Sequence, residues 1–264
     1  MVEEPIIRLE NVCKSFGPTE VLKDVSLSIY PGKTTVIIGS SGCGKTVLLR
    51  HIIALIRPDS GKVFYRRQEI SKLSEHKLSA IRRHFGLVFQ GGALFDSMTV
   101  NENICFPLIE HDISSQEEAN RKCHDVLAMV GLSKVGERFP EELSGGQKKR
   151  VALARAIVMD PEVILYDEPT TGLDPIRADL INELILKLQA ELSATAVVVT
   201  HDMASARKVG DRVVMLNEGH IIVDTTPDKL MQIDDDIVAR FVDGRASEEE
   251  LAQLDPNGYG KVQK

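Results

Sequence analysis

Between the apolar run Thr34–Ile38 and a helix-forming run that starts at Lys45 lies Gly39-Ser40-Ser41-Gly42-Cys43-Gly44-Lys45-Thr46. No other stretch restricts the fold of this chain so strongly. Glycines at fixed offsets let backbone N–H groups turn inward around an anion, and the helix start behind them adds a partial positive charge. A loop of this form needs a strand before it and a helix after it. All eight residues, Gly39, Ser40, Ser41, Gly42, Cys43, Gly44, Lys45 and Thr46, are therefore read as a phosphate cradle. Lys45 is expected to reach the β- and γ-phosphates, and the Thr46 hydroxyl to ligate Mg²⁺.

Val163-Ile164-Leu165-Tyr166-Asp167-Glu168 supplies the complementary half. A buried strand would deliver Asp167 at its C-terminal end, where open α/β sheets bind ligands. Asp167 is expected to hold Mg²⁺ through its water shell, and Glu168 to polarise an attacking water.

The remaining pattern agrees with α/β architecture. Strands are read at Ile6–Val12, Val25–Ile29, Thr34–Ile38, Gly61–Tyr65 and Phe85–Phe89, and a helix from Lys45 to about Ile56. Val100–Ile109 and Gln116–Val130 read as helices of an insert spanning about 91–142. The core resumes with a helix from Ser144 to Val158, the strand Val163–Tyr166, a helix Arg177–Leu192 and the strand Ala196–Thr200. Arg212–Leu216 and Ile221–Asp224 flank the hairpin turn Asn217-Glu218-Gly219-His220. One domain over 1–243 is expected, followed by an acidic 244–264 extension with a helix candidate at Ala246–Leu254.

Composition narrows the function. A net charge of -7 over 264 residues, with 43% apolar content, describes a chain with a core and no basic footprint for nucleic acid. The short clusters Arg82-Arg83 and Lys148-Lys149-Arg150 read as solvated helix surface. No apolar run exceeds Ile52–Ile56, far short of the about 20 residues a membrane helix needs. Four scattered cysteines, without a Cys-x-x-Cys pair, read as reduced thiols in the cytosol.

Leu143-Ser144-Gly145-Gly146-Gln147 opens a second helix with close-approach glycines, about a hundred residues after the phosphate loop. With that loop and the Asp167-Glu168 strand, it makes nearly the whole chain resemble the nucleotide-binding subunits of ABC transporters. The resemblance implies a P-loop NTPase fold of ABC type: a mixed, largely parallel sheet, an antiparallel β-subdomain and a helical insert. It implies ATP as substrate, bound with Mg²⁺. It also implies head-to-tail dimers, in which Ser144, Gly145, Gly146 and Gln147 cap the ATP held by a second copy of the chain. On the same basis Phe16 stacks on adenine, and Gln90 touches Mg²⁺ and the attacking water. Asp174, in Gly172-Leu173-Asp174-Pro175, belongs to a loop that crosses the dimer, and His201 contacts the γ-phosphate.

Gln90–Val100 and Leu143–Ile157 further resemble the ATPases of bacterial Mla-type phospholipid transport systems. That likeness implies an integral-membrane permease, an MCE-domain lipid-binding protein and a peripheral place on the cytoplasmic face of the inner membrane. Two alternatives stay open: an importer of amino acids or methionine, and a soluble ABC ATPase outside transport. The acidic tail would suit an arm across the dimer.

Overall fold

The computed structural model describes residues 4–111, 115–246 and 251. Two sheets organise the chain. β1 (Ile7–Phe16), β2 (Thr19–Ile29), β4 (Ser60–Tyr65) and β5 (Gln68–Glu69) form an antiparallel sheet in the order β2-β1-β4-β5. β3 (Thr34–Ile38), β6 (Phe85–Val88), β7 (Val163–Asp167), β8 (Thr195–Thr200), β9 (Arg212–Asn217) and β10 (His220–Thr225) form the second, in the order β10-β9-β3-β8-β7-β6. Its strands run parallel except for the β9–β10 hairpin.

The central strands β3, β7 and β8 are buried at every position because both faces are covered. Val36, Ile38, Ile164, Tyr166, Val198 and Met215 point into one core. Their alternates Ile37, Leu165, Val197, Val199 and Leu216 point into the other. The second core is closed by α1 (Lys45–Ile52) and the antiparallel sheet. The first is closed by α3 (Val100–Glu110), α4 (Gln116–Met129), α5 (Gly145–Ile157), α6 (Pro175–Leu192) and α7 (Met203–Val209). α2 (Glu75–Arg82) precedes β6, and α8 (Pro227–Leu230) and α9 (Asp236–Asp243) follow the hairpin.

Several elements differ from the sequence reading. β1 continues four residues beyond Val12, because register shifts around Val12 and Lys14 let it carry polar residues along β2. α1 stops at Ile52 rather than near Ile56. Arg82 takes up the carbonyls of Ile53 (3.3 Å) and Ala54 (2.6 Å) just beyond its end. α2, α7, α8 and α9 were not anticipated. Cys105 and Cys123 are bonded to each other, where reduced thiols were expected. Their 18-residue separation hides the fact that α3 and α4 pack together and bring the two Cα atoms to 5.8 Å. The helix read at Ala246–Leu254 lies, apart from Ala246 and Leu251, outside the described residues, as does the tail from 255 onward. Among the described residues no helix is long and apolar enough to cross a membrane.

Candidate active site

Three neighbouring parallel strands, β3, β8 and β7, deliver the site from their C-terminal ends. β3 leads into the phosphate loop. Gly39 has φ 153°, and a Cβ there would sit 2.2 Å from the Leu216 carbonyl oxygen and 2.7 Å from Cys43 Sγ. Only glycine fits. Gly42 and Gly44 also take positive φ, and no side chain caps the start of α1. Its first N–H groups therefore remain available to an anion.

Lys45 is 6% exposed and folds back over the loop. Its Nζ donates to the carbonyls of Gly39 (2.8 Å) and Ser40 (2.9 Å) and lies 3.9 Å from Glu168 Oε1. The Cys43 thiol is nearly buried, and burial pushes its pKa up, which lowers its reactivity. Ser40 and Ser41 are exposed.

At the end of β7, Asp167 Oδ1 accepts a hydrogen bond from Thr46 Oγ1 at 2.9 Å. Burial raises the Asp167 carboxyl above its ordinary value, and the Thr46 hydrogen bond opposes that rise. These two hard oxygen donors fit Mg²⁺, which keeps waters and phosphate oxygens as its other ligands. Among the described residues no group of three or more His, Cys, Asp or Glu forms a complete protein cage for a metal.

Glu168 adopts φ 51°, left-handed backbone that a non-glycine residue rarely takes. Its N–H donates to Val199 O of β8 (2.9 Å), which holds the turn in place. The carboxylate is 8% exposed as a residue and faces three partners. His201 Nδ1 lies 2.9 and 3.0 Å from its two oxygens, Thr171 Oγ1 donates at 3.0 Å, and Lys45 completes the ring. Asp202, next to His201, caps α7 through Ala204 N and Ser205 N.

The structure thus brings Gly39–Thr46, Asp167, Glu168 and His201 together. Other residues singled out in the sequence stand at the periphery. Phe16 is 49% exposed at the end of β1. Its hairpin pairs Lys14 with Leu22, and Leu22 and Val21 abut Gly44 of the phosphate loop. Gln90 follows β6 with an exposed side chain that makes no hydrogen bond among the described residues. Asp174 is exposed and caps α6, its Oδ1 accepting from Arg177 N at 3.0 Å.

Ser144 caps α5 in a reciprocal box. Its Oγ accepts from Gln147 N (3.3 Å) and its N–H donates to Gln147 Oε1 (2.9 Å). The hydroxyl proton of Ser144 stays free for an anion. No hydrogen bond or ion pair among the described residues joins Ser144–Gln147 to this chain's own phosphate loop.

One residue escaped the sequence reading. Lys149, taken for solvated surface, is 8% exposed and donates to the carbonyls of Gln90 and Glu168. Helical phase offered a signal: Lys149 lies three and four residues before Ala152 and Leu153, both buried.

Comparison with known proteins gives a consistent answer. The ABC transporter family model matches residues 22–171. A probable ribonucleotide transport ATP-binding protein of Mycobacterium tuberculosis is 40% identical over 90% of this chain and 67% of its own length. The arginine transport ATP-binding protein ArtM of Bacillus subtilis is 40% identical over 84% of this chain and 92% of its own. MlaF of Haemophilus influenzae, the ATP-binding protein of an intermembrane phospholipid transport system, is 34% identical over 93% of each chain. Among solved structures, the dimeric ATP-binding cassette MJ0796 bound to ADP and phosphate superposes with a TM-score of 0.77. It is 36% identical, over 84% of this chain and 98% of its own. Matched by the family model over more than half its length and by relatives over most of it, the chain is an ATPase and belongs to the ABC transporter family.

Proposed function

We propose that this ATPase works as a head-to-tail pair of copies on the cytoplasmic face of a bacterial inner membrane. There it drives a separate permease that moves phospholipid between the inner and outer membranes, with an MCE-domain protein as lipid carrier. The likeness to MlaF, which runs the full length of both chains to within a few residues in a hundred, supports the lipid reading.

ATP enters with its β- and γ-phosphates in the cradle of Gly39–Thr46. Lys45 exchanges its loop carbonyls for phosphate oxygens, and Phe16 offers its exposed face to the adenine. Thr46, Asp167 and Gln90 are the residues that would hold Mg²⁺, which when bound would supply neutralisation of phosphate charge. Glu168 accepts a proton from the attacking water, and His201, alongside, contacts the γ-phosphate. Ser144, Gly145, Gly146 and Gln147 of the second copy close over the nucleotide, with Asp174 at the seam. The single observation that carries this chemistry is the Glu168 carboxylate, held between His201 and Lys45 at the end of β7. Glu168→Gln should keep ATP affinity and lose at least about a hundredfold in kcat, as removal of a general base does. Turnover at the wild-type rate would remove Glu168 from that role.

For the permease, Ala93 and Phe95 of the Gly91–Thr99 segment contribute to the lining of a 570 Å³ groove. Phe85, Phe89, Phe95 and Phe106 line it, with Arg83 and Arg155 among its basic residues. A short apolar helix from the permease fits this groove, beside Gln90. Affinity purification of the tagged chain from native membranes in mild detergent, with mass spectrometry, tests the assignment. A permease with an MCE-domain protein supports phospholipid transport. A permease with a solute-binding protein supports an importer of polar amino acids, the reading that ArtM's 40% identity favours. Ribosomal or DNA-repair partners without a permease would overturn transport altogether.

A further inference from the structure

Lys149 is a buried cation that the chemistry above does not use. It stands on α5, which packs against β6. The ends of β6 and β7 are parallel neighbours; β7 runs directly into the turn at Glu168, and β6 into the turn at Gln90 after Phe89. The Lys149 ammonium donates to the main-chain carbonyl of both turn residues, at 3.3 Å for Glu168. Neither turn is otherwise tied to the other among the described residues.

An apolar side chain would fill this place at lower desolvation cost. Burial indeed disfavours the charged form of Lys149, and the Asp167 and Glu168 carboxylates oppose that trend. The ammonium offers three donors converging from one point, which a methyl-ended stem cannot. α5 is capped by Ser144, five residues before Lys149. At about 1.5 Å rise per residue, the Cα atoms of the two lie roughly 7–8 Å apart along the helix axis. A rigid helix carries both.

We propose that Lys149 is a positioning residue, clamping the turns of Gln90 and Glu168 into hydrolytic register from the helix whose start caps the partner copy's ATP. The proposal rests on the reading of Glu168 as general base and of Ser144–Gln147 as the cap in trans. Its consequence is specific. Without the clamp, ATP still binds and is still capped, yet the water and its base are no longer aligned.

The test uses the full chain carrying Lys149→Met, which keeps the unbranched stem, beside Lys149→Arg and Glu168→Gln. Three quantities are read: affinity for a fluorescent ATP analogue, kcat and KM for ATP hydrolysis, and the dimer fraction by gel filtration in Mg-ATP. Lys149→Met should keep affinity and KM within about twofold, lose at least about tenfold in kcat, and accumulate the ATP-bound dimer. Lys149→Arg, which retains charge and donors, should restore most of the rate. Wild-type kcat in Lys149→Met overturns the proposal. So does a joint loss of affinity, dimer and kcat, which would make the residue merely structural. If Lys149→Met aggregates, Lys149→Gln, neutral and shorter, is judged by the same three measurements. Undiminished turnover in Glu168→Gln would remove the general-base reading, whereas loss there with wild-type rates in Lys149→Met would remove the clamp alone.

Discussion

Tyr166 sits in the middle of the chemistry's supporting strand and is fully buried, yet its hydroxyl has no hydrogen-bond partner among the described residues. Burial accordingly pushes its pKa up. An orphaned buried hydroxyl costs about 1–3 kcal/mol, so removing it forfeits nothing. Tyr166→Phe should leave kcat unchanged and raise stability by up to about 1 kcal/mol, read as a shift in urea midpoint at constant slope. A loss of more than about 1 kcal/mol would mean the hydroxyl has a partner. At this scale the sequence was legible wherever residue type alone sets chemistry. Lys45 and Thr46 lie at the start of α1 and Asp167 at the end of β7, the elements that their sequence context predicts. Less visible were features that depend on backbone or on burial of a charge. The left-handed φ of Glu168 follows from tertiary pairing to Val199, and no residue pattern announces it.

At the scale of elements, α3 shows how a helix fixes a loop. Asn103, fully buried on α3, accepts from Phe95 N at 2.8 Å. Its Nδ2 lies 3.0–3.1 Å from the carbonyls of Phe95, Met98 and Thr99. One side chain therefore sets the course of the groove wall that carries Phe95. Asn103→Leu conserves volume but strands those groups, and should destabilise the chain by about 2–4 kcal/mol. The same variant should also bind the permease less well in the affinity purification. Unfolding within about 0.5 kcal/mol of wild type would show that the loop holds itself. Helices of eleven residues or more were readable from their apolar spacing, and β3, β7 and β8 from continuous apolar runs. α7 and α8 are too short to establish a period. α9 carries one, with Val238, Phe241 and Val242 packed in or against the core, but it is only 8 residues long.

The whole molecule is two sheets that share an apolar core and are further tied by a few polar contacts. Tyr65 of the antiparallel sheet donates to Glu162, just before β7, at 2.7 Å, and Arg66 reaches the same carboxylate. Arg212 of β9 donates to Ser28 O of β2. Ser144, Asp174 and Phe16, the residues assigned to a nucleotide-bridged seam, are all exposed on the single chain. A second copy can therefore meet them without unfolding anything. Glu168→Gln should elute as a monomer without nucleotide and as a dimer in saturating Mg-ATP. An unchanged elution volume would argue against the head-to-tail arrangement.

The phosphate loop, Asp167, Glu168 and His201 hang from the C-terminal ends of β3, β7 and β8. With about 3.3 Å per residue over five- and six-residue strands, the opposite rim lies roughly 15–20 Å away. The turns there, at Gly32-Lys33 and Ser193-Ala194, reach the chemistry through β3 and β8, whose register is locked on both sides, and Ser193 also through the full length of α6. The parallel sheet thereby gives the protein a quiet pole. A fluorophore or surface tether placed at the exposed Ser193 would report on the molecule's motion while leaving its catalytic rim untouched.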